Sequence, residues 1–143
     1  CGEAGAWPIS LHLLIGITQQ GPMPDVIVWN SAINACARSQ QAGWALRVLE
    51  EMCASSMKPS VSSYTTSIGA LRNVGEWPTA MYLLHDMQKR KLQPDARAWT
   101  ALINVRNAKQ PCQHASWLLG QMQAHRVLPD LIAYSSAISA CAD

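Results

Sequence analysis

The sequence predicts an all-α chain: an α-solenoid of helix-turn-helix repeats, wound as a right-handed superhelix with about eight helices in view. Three observations carry that expectation. Shifted by 35 residues, the chain falls into register with itself without a gap. An aromatic recurs at Trp29, Tyr64, Trp99 and Tyr134, and an Ile follows four residues later at Ile33, Ile68, Ile103 and Ile138. Within each period, two stretches of helical spacing are separated by turn residues. A hairpin of that size cannot bury both apolar faces alone, whereas stacked neighbours can.

The frame divides the chain into a partial repeat at 1–25, full repeats at 26–60, 61–95 and 96–130, and a partial repeat at 131–143. The unit 61–95 shows the reasoning for all. Its first helix is expected from about Ser62 to Arg72, with Tyr64, Ile68 and Leu71 on one apolar stripe. Asn73, Val74 and Gly75 break it, glycine being the usual residue where a helix ends in a left-handed turn. Pro78 opens the second helix, where its missing N–H costs nothing. Met81, Leu84 and Met87, flanked by Tyr82 and Leu83, form its expected buried face. Lys89, Arg90 and Lys91 crowd its last turn, where the helix dipole favours cations and solvent covers them. Leu92 to Asp95 then link to the next unit. The small column Ala45, Ala80 and Ala115 suits close helix approach, and the column Met52, Met87 and Met122 suits adaptable packing. Leu49, Leu84 and Leu119 form another column, and Pro24, Pro59, Pro94 and Pro129 close the units.

Composition narrows the class. Of 143 residues, 49% are apolar and 14% charged, with a formal charge of +2. That excludes a disordered acidic or basic tail, and no run of about 18 apolar residues is present to span a bilayer. Five Cys without a C-x-x-C spacing signal neither a zinc ribbon nor a closed disulfide framework, so a reducing compartment is the simpler expectation. Cys1, Cys36 and Cys141 share one repeat phase and are expected to pack rather than react. The chain begins at Cys1 and stops within a helix-like run, so it is expected to be a piece of a longer protein.

The residues Val26 to Asn30, Ala45 and Leu46, Leu49 to Met52 and Met57 to Pro59 resemble the pentatricopeptide repeat. So do Tyr64 and Thr65, Ala80, Leu83 and Leu84, and Gln93 to Asp95. The 35-residue period separates this family from its tetratricopeptide cousin, whose period is about 34. The resemblance implies single-stranded RNA as partner, one base per repeat. It also implies that the fifth and last residues of each repeat select the base. Those pairs are Asn30 with Ser60, Thr65 with Asp95, and Thr100 with Asp130; Asp25 and Ser135 are the halves of two further pairs. The second residue of a repeat flanks the base in this family. Ile27 and Ile132 match that pattern, while Ser62 and Arg97 depart from it. Arg38, Arg72 and Arg106 fall near the ends of the first helices, within reach of phosphates.

The pairs have a chemistry of their own. An ionised Asp only accepts hydrogen bonds, which suits guanine or uracil and disfavours adenine and cytosine, whose ring nitrogens accept. Thr leaves room for a purine, so Thr65/Asp95 and Thr100/Asp130 point to guanine. Asn30 with neutral Ser60 points to a pyrimidine, cytosine first. The expected core is pyrimidine-G-G, read 5′ to 3′ along the chain as the resemblance implies. Pro-Asp ahead of a helix is equally an N-cap signal, and both roles can coexist.

Other residues read more simply. The aromatic column shares a stripe with the Ile column, which makes it core rather than a stacking platform, and Trp7 and Trp77 pack at hairpin turns. Cys112 and His114 lie two apart with no second ligand pair nearby, so no metal site is expected. No paired carboxylates, Ser-His-Asp grouping or Gly-rich phosphate loop emerges, so neither an enzyme, a cofactor nor a small-molecule substrate is expected. The expected function is sequence-selective RNA binding in organellar RNA processing or expression, in mitochondrion or chloroplast by resemblance. The alternative is a protein-protein interaction scaffold without RNA readout.

Overall fold

The structure is a computed structural model that describes residues 6–21, 24–105 and 111–142. Every regular element among these residues is helical: α1 Ala6–Gln20, α2 Val26–Arg38, α3 Ala42–Ala54, α4 Val61–Ala70, α5 Trp77–Lys89, α6 Ala96–Ile103, α7 Pro111–Ala124 and α8 Leu131–Ala142. A 3₁₀ turn, Leu71–Asn73, precedes α5. Helices α2, α4, α6 and α8 begin at 35-residue intervals, at Val26, Val61, Ala96 and Leu131. None of the described helices is long and apolar enough to cross a membrane.

The chain forms two compact units, Cys1–Ala70 and Leu71–Asp143. In the first, α2 is the centre, packing against α1, α3 and α4. Its buried residues Trp29, Ala32, Ile33 and Cys36 lie at i, i+3, i+4 and i+7, one stripe of a helix. Helix α3 answers with Ala42, Ala45, Val48, Leu49 and Met52. Helix α4 brings Tyr64, Ile68 and Ala70, together with two buried serines, Ser63 and Ser67. The Ser67 hydroxyl donates to the Ser63 carbonyl at 2.9 Å, which satisfies it inside the core.

In the second unit, α6, α7 and α8 pack against one another. Helix α6 buries Ala98, Trp99, Leu102 and Ile103, and α7 buries Ala115, Leu118 and Met122. On α5 the expected Leu84 and Met87 are buried, together with Ala80 and Leu83, while Met81 is only half-buried and Tyr82 is exposed. Trp77 meets the His114 ring edge-on, with ring centroids 4.8 Å apart. Helix α8 buries only the small residues Ala133 and Ala137. The expected core positions Tyr134 and Ile138 are therefore exposed, at 44% and 69%. They lie on the face that α6 and α7 leave uncovered.

Backbone turns repeat with the helices. Ser56, Lys91 and Arg126 all have φ near +60°, each just past the end of a second helix. Gln40 and Gly75, also 35 residues apart, take the same conformation after the first helices. At Lys91 the N–H bonds Gln88 O at 2.9 Å while Leu92 N–H bonds Met87 O at 3.0 Å, a Schellman closure of α5. Only glycine occupies this region without a steric cost. Lys91→Gly is therefore expected to stabilise the chain by about 1 kcal/mol, read as a raised midpoint in urea unfolding; a lowered midpoint would show that Lys91 contributes more than its backbone.

The cysteines depart from expectation. Cys112 at the start of α7 and Cys141 at the end of α8 form a disulfide, with Cα atoms 4.4 Å apart. Cys141 thus neither packs in the core nor stays reduced. Repeat phase hides this pair, because its separation of 29 residues is not a period of the sequence. Cys36 is buried as expected, and that burial pushes its thiol above the usual range, which keeps it protonated and unreactive. Cys1 and the side chain of Trp7 lie outside the described residues.

Candidate nucleic-acid interface

The expected base-selecting residues occupy two kinds of place. Asn30, Thr65 and Thr100 are half-buried, each one step past a fully buried aromatic of the same helix. Asp25, Ser60, Asp95 and Asp130 stand immediately before α2, α4, α6 and α8. There they cap the helices. Asp25 Oδ1 accepts from Val28 N–H at 3.0 Å, Asp95 Oδ1 from Ala98 N–H at 2.9 Å, and Asp130 Oδ1 from Ala133 N–H at 2.8 Å. Ser60 Oγ accepts from Ser63 N–H at 3.3 Å in the same manner. Capping engages Oδ1 of each of the three carboxylates.

The hydroxyls of the first-helix residues are equally committed. Thr65 Oγ1 donates to Val61 O at 2.8 Å, Thr100 Oγ1 to Ala96 O at 2.8 Å, and Ser135 Oγ to Leu131 O at 2.6 Å. A hydroxyl has one hydrogen and two lone pairs. With the hydrogen bonded to the preceding turn, Thr100 offers a ligand acceptors alone. Asp130 Oδ2 is an acceptor too, and the helices α6 and α8 that carry this pair are packed together.

Asn30 and Ser60 are in direct contact, Asn30 Nδ2 donating to Ser60 Oγ at 3.4 Å. Ser63, which the sequence reading passed over, joins them by donating its hydroxyl to Asn30 Oδ1. The signal that could have found it is a hydroxyl at a core position where the other units carry Val28, Ala98 and Ala133.

The flanking residues lie one turn ahead of the selectors, on the same helix face by their i, i+3 spacing. Ile27 and Ile132 are exposed apolar side chains and Ser62 is exposed. Arg97 Nε bonds Asp95 Oδ2 at 3.1 Å, so in this unit the carboxylate oxygen left by the cap already holds a guanidinium. Arg38 and Arg72 are exposed, and Arg106 lies outside the described residues. Among the described residues, no cluster of three or more His, Cys, Asp or Glu could hold a metal ion.

The profile of the PPR repeat family matches residues 24–73 and 59–106. No curated protein matches the chain in sequence. Among solved structures, the chain is similar to the pentatricopeptide repeat protein PPR10 from maize, at 24% identity over 96% of this chain and 20% of that one, with a TM-score of 0.78. PPR10 in complex with an 18-nt psaJ RNA element matches at 23% identity over 95% of this chain and 20% of that one, TM-score 0.77. The PPR domain of Arabidopsis thaliana protein-only RNase P 1, in complex with tRNA, matches at 14% identity over 100% of this chain and 76% of that one, TM-score 0.80. The chain spans about a fifth of the length of the PPR10 chains, at 20%. These likenesses show the all-α helical-repeat fold.

Proposed function

The chain belongs to the PPR repeat family, and from that premise we propose that it is a non-catalytic segment of a single-stranded RNA-binding array in which each complete repeat, 26–60, 61–95 and 96–130, meets one base. The observation that carries the reading is the saturation of the selector hydroxyls. Thr65 and Thr100 direct their hydrogens into their own helices and keep only acceptors for a ligand, as does the capping Asp130, while the Oδ2 of Asp95 is bonded by Arg97 Nε. Such a surface rejects adenine and cytosine ring nitrogens and accepts guanine. Asn30 keeps both a donor and an acceptor and has the longer reach, which favours a pyrimidine, cytosine first. The core is pyrimidine-G-G, and the transcripts it serves are organellar, in mitochondrion or chloroplast. With a formal charge of +2, the chain neutralises few phosphates, so base contacts carry a large share of its affinity.

Selection of randomised single-stranded RNA by the chain at low salt tests this reading. Enrichment of pyrimidine-G-G is the expected outcome. A selection that enriches no sequence overturns it and returns the segment to the role of a protein-binding scaffold.

A further inference from the structure

We propose that the Cys112–Cys141 disulfide is a thiol-operated clasp: closed, it holds α8 against α7, and a dithiol reductant opens it and loosens the helix. Its consequence for base selection rests on the RNA-binding reading; the clasp itself does not.

A bond stands at α8 where earlier units rely on packing. Cys36, Leu71 and Cys141 share one repeat phase. Cys36 and Leu71 are 0% and 1% exposed, whereas Cys141 is exposed. Along α8, Ala133, Ala137 and Cys141 lie at i, i+4 and i+8, on one face of the helix. Ala133 and Ala137 are its buried residues, and each offers a single methyl group, a small apolar contribution. The bulky members of the helix, Leu131, Ile132, Tyr134 and Ile138, are all exposed. Apolar burial therefore holds α8 weakly, and the cross-link to α7 supplies what packing does not. It joins the last turn of α8 to the first turn of α7, with Cα atoms 4.4 Å apart. A helix tied at that point loses much of the conformational freedom that favours local detachment.

The bond is also open to chemistry. Cys112 and Cys141 are both exposed, so a thiolate can reach either sulfur. Attack by one thiolate of a dithiol reductant displaces the other protein sulfur as a thiolate and forms a mixed disulfide. The second thiolate of the reductant then attacks that mixed bond and releases the protein. Two electrons and two protons pass to the protein, leaving Cys112 and Cys141 as thiols and the reductant as a disulfide. Two candidate base-selecting residues move with the helix: Asp130, whose Oδ1 accepts from Ala133 N–H in the first turn, and Ser135. In the RNA-binding reading Asp130 pairs with Thr100, so opening the clasp relaxes the choice of base in repeat 96–130. Asn30 and Ser60 lie in the other compact unit and keep their contact.

Hydrogen exchange of the chain with and without dithiothreitol tests the clasp. The amides of α8 should exchange about tenfold or more faster after reduction, and those of α2 and α3 at an unchanged rate. Cys112→Ser with Cys141→Ser should match the reduced chain and ignore the reductant. Equal exchange of α8 in both states, loss of protection in α2 and α3 as well, or a double variant that still responds to the reductant overturns the clasp. Binding of short single-stranded RNAs reads the consequence. The oxidised chain should favour CGG over CGA, and CGG over AGG, by about tenfold each; reduction should bring the first ratio to within about twofold and leave the second unchanged. A ratio of CGG to CGA that survives reduction while α8 loosens overturns the link between clasp and base selection. An oxidised chain that separates CGG from neither RNA overturns instead the base reading, and the exchange rates still decide the clasp.

Discussion

Replacing Trp29 with alanine should destabilise the chain by about 3–5 kcal/mol, the range for emptying a large aromatic site in a packed core. Trp29 is 2% exposed and sits on α2, the helix against which α1, α3 and α4 all pack. Urea unfolding followed by circular dichroism reads the loss as a lower midpoint. Trp29→Phe should cost much less than that. The indole Nε1 is buried without a hydrogen-bond partner among the described residues, and phenylalanine removes this orphaned donor while keeping most of the apolar bulk. A similar loss for both variants would show that the indole itself, and not its bulk, holds the four helices together.

Thr65→Asn combined with Thr100→Asn should turn the two repeats proposed to select guanine toward uracil, moving the ratio of GG to UU binding by about tenfold or more at each position. Each threonine now exposes acceptors only, because its hydrogen is held by a carbonyl one turn back. Asparagine adds a donor for a uracil carbonyl and extends further across the site, crowding out a purine. The capping aspartates still accept from uracil N3–H. RNA-binding titrations with the two cores measure the change; a preference for GG that survives both substitutions would remove these residues from base selection.

Much of the architecture was legible because a repeat states its own pattern several times. Trp29, Tyr64 and Trp99 were placed in the core by phase, and all three are buried. Gly75 was read as a helix stop and has φ of 71°. The same reasoning misplaced Tyr134, because phase describes a helix with neighbours on every side and α8 is covered on one. It also missed the left-handed turns at Ser56, Lys91 and Arg126, which carry no glycine to announce them. In the candidate interface, phase picked out Asn30, Ser60, Thr100 and Asp130 as candidates, but it could not pick out Ser63, which meets Asn30, 33 positions back on another helix, and Ser60, one turn back.

By itself, then, the sequence determined the period, the two helices of each period, the family and the candidate base-selecting residues, since all of these follow from local spacing repeated every 35 residues. Tertiary structure alone decided which hydrogens those residues still have to offer. The Thr100 hydrogen is held by its helix, the Asp130 Oδ1 by a cap, and the Ser60 hydroxyl by Ser63 and Asn30 together. It also decided that Cys112 meets Cys141. The physical reason is that a side chain's chemistry is fixed by its sequence identity, whereas its unsatisfied donors and acceptors are what remains after every neighbour brought close by folding has taken its share.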